Sequence, residues 1–171
     1  VMIDNSDIRF VLSSAFSADD TGNLSFSRHT GYGRNIISDR LCEELLLKHL
    51  PYTTSAVLMR GDHARKFVFP VNLQYGEDVV YFAKVFFGSK GCFLCEPTAV
   101  SWSHPDSLRH NLDNLKKHGM SMVEAIFDDP YYEGRLNHIR KQFTANRYFE
   151  LFRRFFRSHE KILARSYYQE A

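Results

Sequence analysis

At Gly76-Glu77-Asp78 this chain passes from an irregular stretch to a helical hydrophobic period. Downstream, Val79, Phe82, Ala83 and Phe86 fall at i, i+3, i+4 and i+7, the spacing of one helix face, and Gly88 follows as a stop. Upstream, residues 8–16 (IRFVLSSAF) are strand formers, Asp19-Asp20-Thr21-Gly22-Asn23 is dense in turn residues, and Leu24-Ser25-Phe26 resumes an extended pattern. That order predicts a hairpin. Strands ahead of an amphipathic helix, with more strand pattern behind it, predict a mixed α/β fold with short strands.

The rest of the chain fills in around that frame. Residues 27–37 read as a loop, and Ser38 is placed to cap a helix running to Leu50, with Pro51 beyond its end. Residues 53–60 fit either a buried strand or the start of a helix. Residues 61–76 read as irregular. Residues 92–95 and 98–103 read as two short strands broken at Pro97. His104-Pro105-Asp106-Ser107 reads as a turn with a helix cap at Asp106 or Ser107. Leu108, Leu112 and Leu115 then make a helical stripe interrupted by Gly119, and residues 131–168 read as helix to the end. The expected division is 1–110 and a helical extension over 111–171.

At 171 residues, roughly two-thirds of the unfolded surface can be buried. Apolar residues make up 44% and charged residues 25%, which excludes a disordered or collagen-like chain. No apolar run approaches the ~20 residues of a membrane span. Asp4, Asp7 and Arg9 interrupt what would otherwise be the place for a signal peptide. The net charge of +2 names no partner. Three cysteines, an odd and low number, point to a reducing, cytoplasmic compartment rather than a disulfide framework. The opening Val1-Met2 suggests a piece of a longer protein or a missing front.

Six features could carry chemistry. Glu77 and Asp78 open an amphipathic helix, where free amides and the helix dipole favour negative charge. The plain reading is capping; the functional one is a general base. His104 lies beside a rigid proline turn, where an imidazole can ligate a divalent ion or simply hydrogen-bond at the surface. Cys92-Phe93-Leu94-Cys95 has no second pair to complete a zinc site, so both thiols read as packing residues. Asp19-Asp20 has the shape of a metal-diphosphate site, but a hairpin turn explains it better. A metal hydrolase using Asp62, His63 and His104 is a weaker reading, because no spacing fixes a site. Residues 143–168 interleave Arg147, Arg153, Arg154, Arg157, Lys161 and Arg165 with aromatics such as Tyr148, Phe149, Phe152, Phe155, Phe156 and Tyr167, and Tyr148, Phe152, Phe155, Phe156 and Leu163 can share one face. Packing is the first reading of that stretch. Contact with a membrane surface or a partner protein, as a non-catalytic binding module, is the second; the near-neutral whole-chain charge argues against nucleic acid.

Taken in order over residues 6–110, these pieces resemble the C-terminal, acceptor-side half of a family 2 glycosyltransferase with the GT-A fold. The matching features are the Asp19–Gly22 turn, the run Thr53-Thr54-Ser55-Ala56-Val57-Leu58-Met59-Arg60 and the Phe67–Pro70 loop. The Gly76-Glu77-Asp78 helix start, Glu96-Pro97 and the Ser103–Ser107 turn complete the set. The resemblance implies an inverting transfer of a sugar from a nucleotide-sugar donor to a saccharide or lipid-linked acceptor, of the kind used in polysaccharide biosynthesis. It implies Asp78 as general base, with Glu77 orienting it or touching the acceptor, and His104 as a ligand of the Mn²⁺ or Mg²⁺ that holds the diphosphate. It places Thr53, Ser55 and Arg60 where donor or acceptor contacts are made. It makes the helical extension an accessory segment, docked on the domain, a partner or the inner face of the cell membrane. Such enzymes carry a nucleotide-binding half with an Asp-x-Asp motif in front, and none precedes residue 8. The sequence is therefore read as part of a longer transferase, with nucleotide-sugar binding absent or very weak on its own.

Overall fold

Residues Phe10–Ala18 form β1, the strand around which a mixed five-stranded sheet is built; this computed structural model describes residues 1–19, 21–26, 35–47, 53–102 and 111–171. β1 begins with a continuous buried run, Phe10 to Ser14, as expected of a strand covered on both faces. It pairs antiparallel with β2 (Leu24–Ser25) and β4 (Val57–Met59), and parallel with β5 (Gly91–Trp102). β3 (Ile36–Ser38) lies antiparallel on the other side of β5. The fold is mixed α/β.

The β1–β2 connection is the predicted hairpin. The Asp19 carboxylate accepts bonds from the Thr21 and Asn23 amides (3.0 and 2.9 Å) and from the Thr21 hydroxyl (2.7 Å), and Gly22 takes φ +86°. Those bonds, the Thr21 hydroxyl first, hold the Asp19 carboxyl below the usual carboxylate range. Asp20 lies outside the described residues.

β5 corrects the expectation of two strands. It runs unbroken for 12 residues, but its register against β1 slips twice: Ser13 faces Leu94, Ser14 faces Pro97 and Ala15 faces Ala99. Proline lacks the N–H a ladder needs, so it is tolerated inside a strand where pairing is already irregular. The Ser13 and Thr98 hydroxyls bond across the irregularity. Cys92 is buried and Cys95 half-buried, and all three thiols are free. Burial pushes the Cys42 thiol up to about 12, and also raises Cys92.

Two compact units divide the chain: Val1–Phe69 with Tyr81–Ser107, and Pro70–Val80 with Leu108–Ala171. In the first unit, α1 (Leu41–Leu46) buries Leu41, Leu45 and Leu46, and Ser38 Oγ accepts from the Arg40 amide just ahead of it (3.0 Å). The expected continuation to Leu50 lies outside the described residues. Residues 53–60 resolve into a 3₁₀ turn, Thr54–Ala56, followed by β4. The stretch expected to be irregular contains a short helix, α2 (Gly61–Ala64). The Phe10 ring stacks on Phe86 at 3.9 Å and stands directly over Gly91, where a Cβ would come within 2.2 Å of it. Ile8, Val11 and Cys92 form a separate buried cluster closed by Met2 and Leu94.

α3 (Glu77–Phe86) has the predicted limits, and Gly88 ends it at φ +65°. Val80, Phe82, Ala83, Val85 and Phe86 are all buried, a wider face than the predicted stripe. The second unit holds α4 (Leu112–His118), α5 (Ser121–Phe127), α6 (Asn137–Arg157) and α7 (Lys161–Glu170). Asn111 caps α4 by accepting from the Asn114 amide (2.9 Å); the expected cap at Asp106 or Ser107 lies outside the described residues. The stretch expected to be helical over 131–168 holds two helices. A 3₁₀ turn (Pro130–Tyr132) and left-handed Glu133 and Gly134 precede α6, and His159 at φ 64° separates α6 from α7. No described helix is long and apolar enough to cross a membrane.

Candidate functional site

The start of α3 is built from the segment that precedes it. The Gln74 carbonyl accepts from Asn114 Nδ2 on α4 (2.8 Å). The Tyr75 ring packs against Leu115, Leu151, Phe155 and Ala164, the core of the helical unit. Gly76 sits at φ +76° against the Met122 side chain, a backbone conformation that disfavours any other residue. The first helical bond, Val80 N–H to the Gly76 carbonyl, is 3.1 Å. Glu77 and Asp78 follow at once, both half-buried, and Asp78 Oδ1 accepts from the Val79 amide (2.8 Å). Carbonyl, ring and glycine thus fix the approach to the two carboxylates.

Arg147 holds the ring in that arrangement, and sequence reasoning missed it. It is one of the cations interleaved with aromatics over 143–168, and it is 3% exposed. Its guanidinium lies 5.4 Å from the centre of the Tyr75 ring, donates from Nη2 to the Gly119 carbonyl (2.9 Å) and from Nη1 to Glu150 Oε2 (2.6 Å). Its Nε has no hydrogen-bond partner among the described residues. The signal was available: Ile139, Phe143, Arg147, Leu151 and Phe155 recur every fourth residue and are all buried. Of the face expected from Tyr148, Phe152, Phe155, Phe156 and Leu163, Phe155 is in the core and Phe152 and Leu163 pack against it, whereas Phe156 is 59% exposed.

In the first unit, the Thr53 and Ser55 hydroxyls lie 3.4 Å apart at the 3₁₀ turn, Thr53 half-buried and Ser55 exposed. Arg60 is engaged by backbone: Nε donates to the Ile8 carbonyl (2.8 Å), and Nη2 to those of Met2 (2.6 Å) and Asn5 (3.2 Å). It clamps the N-terminal segment against the end of β4. His104 lies outside the described residues.

No three His, Cys, Asp or Glu side chains among the described residues converge. His63 is buried with Nε2 2.7 Å from the Val85 carbonyl, which requires that nitrogen to donate and removes it as a ligand. Asp62 stands 3.9 Å from Arg9, and Asp19 is engaged by its own turn. No protein-family model matches this chain, and no curated protein aligns with it.

Proposed function

We propose that this chain is the acceptor-side half of an inverting glycosyltransferase of the family 2, GT-A type, with Asp78 as general base. The observation that carries the reading is the anchored helix start: two half-buried carboxylates at the first turn of α3, approached through a segment fixed by Asn114, the Tyr75 pocket and left-handed Gly76. A general base must be held in position, since misplacement costs rate steeply. The residue order that carries the family resemblance supports the same assignment.

In the proposed reaction, an acceptor hydroxyl oxygen bonds to the anomeric carbon of the donor from the face opposite the leaving group. The bond from that carbon to the diphosphate oxygen breaks, the nucleoside diphosphate leaves with the electron pair, and the hydroxyl proton passes to Asp78. Glu77 orients Asp78 or contacts the acceptor. Thr53 and Ser55 offer hydroxyls for substrate contact, whereas Arg60 reaches substrate only with whatever its backbone contacts leave over. A divalent ion on the diphosphate with His104 as ligand belongs to the same resemblance; no step above is routed through it.

The test is Asp78→Asn in a polypeptide that also carries the nucleotide-binding half, assayed against a panel of sugar nucleotides. Turnover is expected to fall ~100- to 10,000-fold with the melting temperature unchanged. Unchanged turnover refutes the assignment.

A further inference from the structure

α6 carries a second, largely exposed aromatic face, which only Phe152 links to the core. Phe149 and Phe156 are 47% and 59% exposed, and Arg153 and Arg157 beside them are exposed as well. Phe152, half-buried, lies 5.8 Å from Phe149 and 5.7 Å from Phe156, and 5.2 Å from Tyr168 on α7, which is 62% exposed. Four rings therefore form one continuous surface across two helices. Single exposed apolar residues are ordinary, but a contiguous group marks a contact surface. α7 adds Ile162, 91% exposed, with exposed Lys161 and Arg165. From Phe149 to Tyr168 there are five basic residues against two acidic ones. One of those acids, Glu150, is engaged by Arg147 and Arg154.

We infer that the Phe149–Phe152–Phe156–Tyr168 surface of α6 and α7 docks on an anionic phospholipid bilayer, the rings at headgroup depth and Arg153, Arg157, Lys161 and Arg165 on lipid phosphates. Charge complementarity selects the occupant: excess positive charge is concentrated around the rings while the whole chain carries only +2. Arginine and lysine stems cover apolar surface while their heads reach phosphate, the arrangement of a helix lying in a membrane interface. The rings pack tilted at 36–51° against each other, so no slot is left between them for a stacked base, which argues against single-stranded nucleic acid. With no described helix able to span, the contact is with the membrane surface. Cytoplasmic leaflets supply the required negative charge. The inference stands apart from the transferase reading, since it uses none of Glu77, Asp78, Thr53, Ser55 or His104.

The experiment is co-sedimentation of the full chain with vesicles of phosphatidylcholine, with and without phosphatidylglycerol, at low and high salt. Binding is expected on the anionic vesicles, at least ~tenfold stronger than on neutral ones and weakened by salt. Phe149→Ser with Phe156→Ser should lose binding at both salt levels. Arg153→Gln with Arg157→Gln should lose about fivefold per charge, on anionic vesicles only. These side chains are exposed, so melting temperatures should stay within a few degrees of the parent. Equal affinity for both vesicle types, parental binding by the Phe149→Ser/Phe156→Ser chain, or displacement from vesicles by a single-stranded oligonucleotide would each overturn the inference.

Discussion

Arg147 shows how one residue can be misjudged by its type. In a basic-aromatic stretch an arginine reads as surface charge, but the four-residue spacing of its apolar neighbours carries it inward. Burial is tolerated because the guanidinium meets a carboxylate, a carbonyl and an aromatic face. Arg147→Ala is expected to cost about 3 kcal/mol in denaturant unfolding, because it leaves a cavity inside the unit as well as taking the donor from Glu150 and the Gly119 carbonyl. Arg147→Met, which refills the volume, should cost visibly less; equal losses would mean that charge, not packing, decides. Asp19 was legible as a turn residue because Asp, Gly and Asn in that order have few other uses. Its carboxyl lies below its ordinary value of 3.8, so what it contributes to the hairpin is present above that value and disappears as pH falls through the lower, folded one. The Thr21 and Asn23 amide resonances should therefore titrate with a midpoint below 3.8, and a midpoint at or above it would count against the turn geometry.

At the scale of elements, α3 could be read to the residue because its period, its acidic start and its glycine stop agree. β5 could not, because Pro97 signals a break in sequence while the sheet absorbs it as a slipped register. The short α2 was also hidden; four residues are too few for a period to show. Gly91 is a more demanding position than any pattern suggests. The Phe10 ring above it is fully buried and stacked on Phe86, so it cannot swing away from a new methyl group. Gly91→Ala should destabilise the chain by about 2 kcal/mol through overpacking, measured by chemical unfolding. A neutral result would show that β1 and β5 can separate locally.

At the scale of the molecule, the most consequential feature is that neither unit is continuous in sequence. Pro70–Val80 belongs with the helices that begin some thirty residues later, a distance across which local patterning carries no information. The sequence-based division at 110 therefore parts Tyr75 from Leu115, Leu151 and Phe155. A fragment of residues 108–171 should melt below the corresponding transition of the full chain, because it lacks the Tyr75 ring that fills its core; equal melting would show that the ring contributes nothing there. Half of the candidate site was open to sequence reasoning, the pair at 77 and 78. The other half, the buttress of Asn114, Met122 and Arg147 behind it, comes from helices far along the chain and shows only in three dimensions.

Vectorial synthesis gives that discontinuity a cost in time. Tyr75 leaves the ribosome 72 residues ahead of Arg147. At the usual speed of translation it waits roughly 4 to 14 seconds for the side chain that covers it. During that interval the newborn polypeptide exposes an aromatic anchor with nothing to hold, and a chaperone that grips nascent segments would find it there.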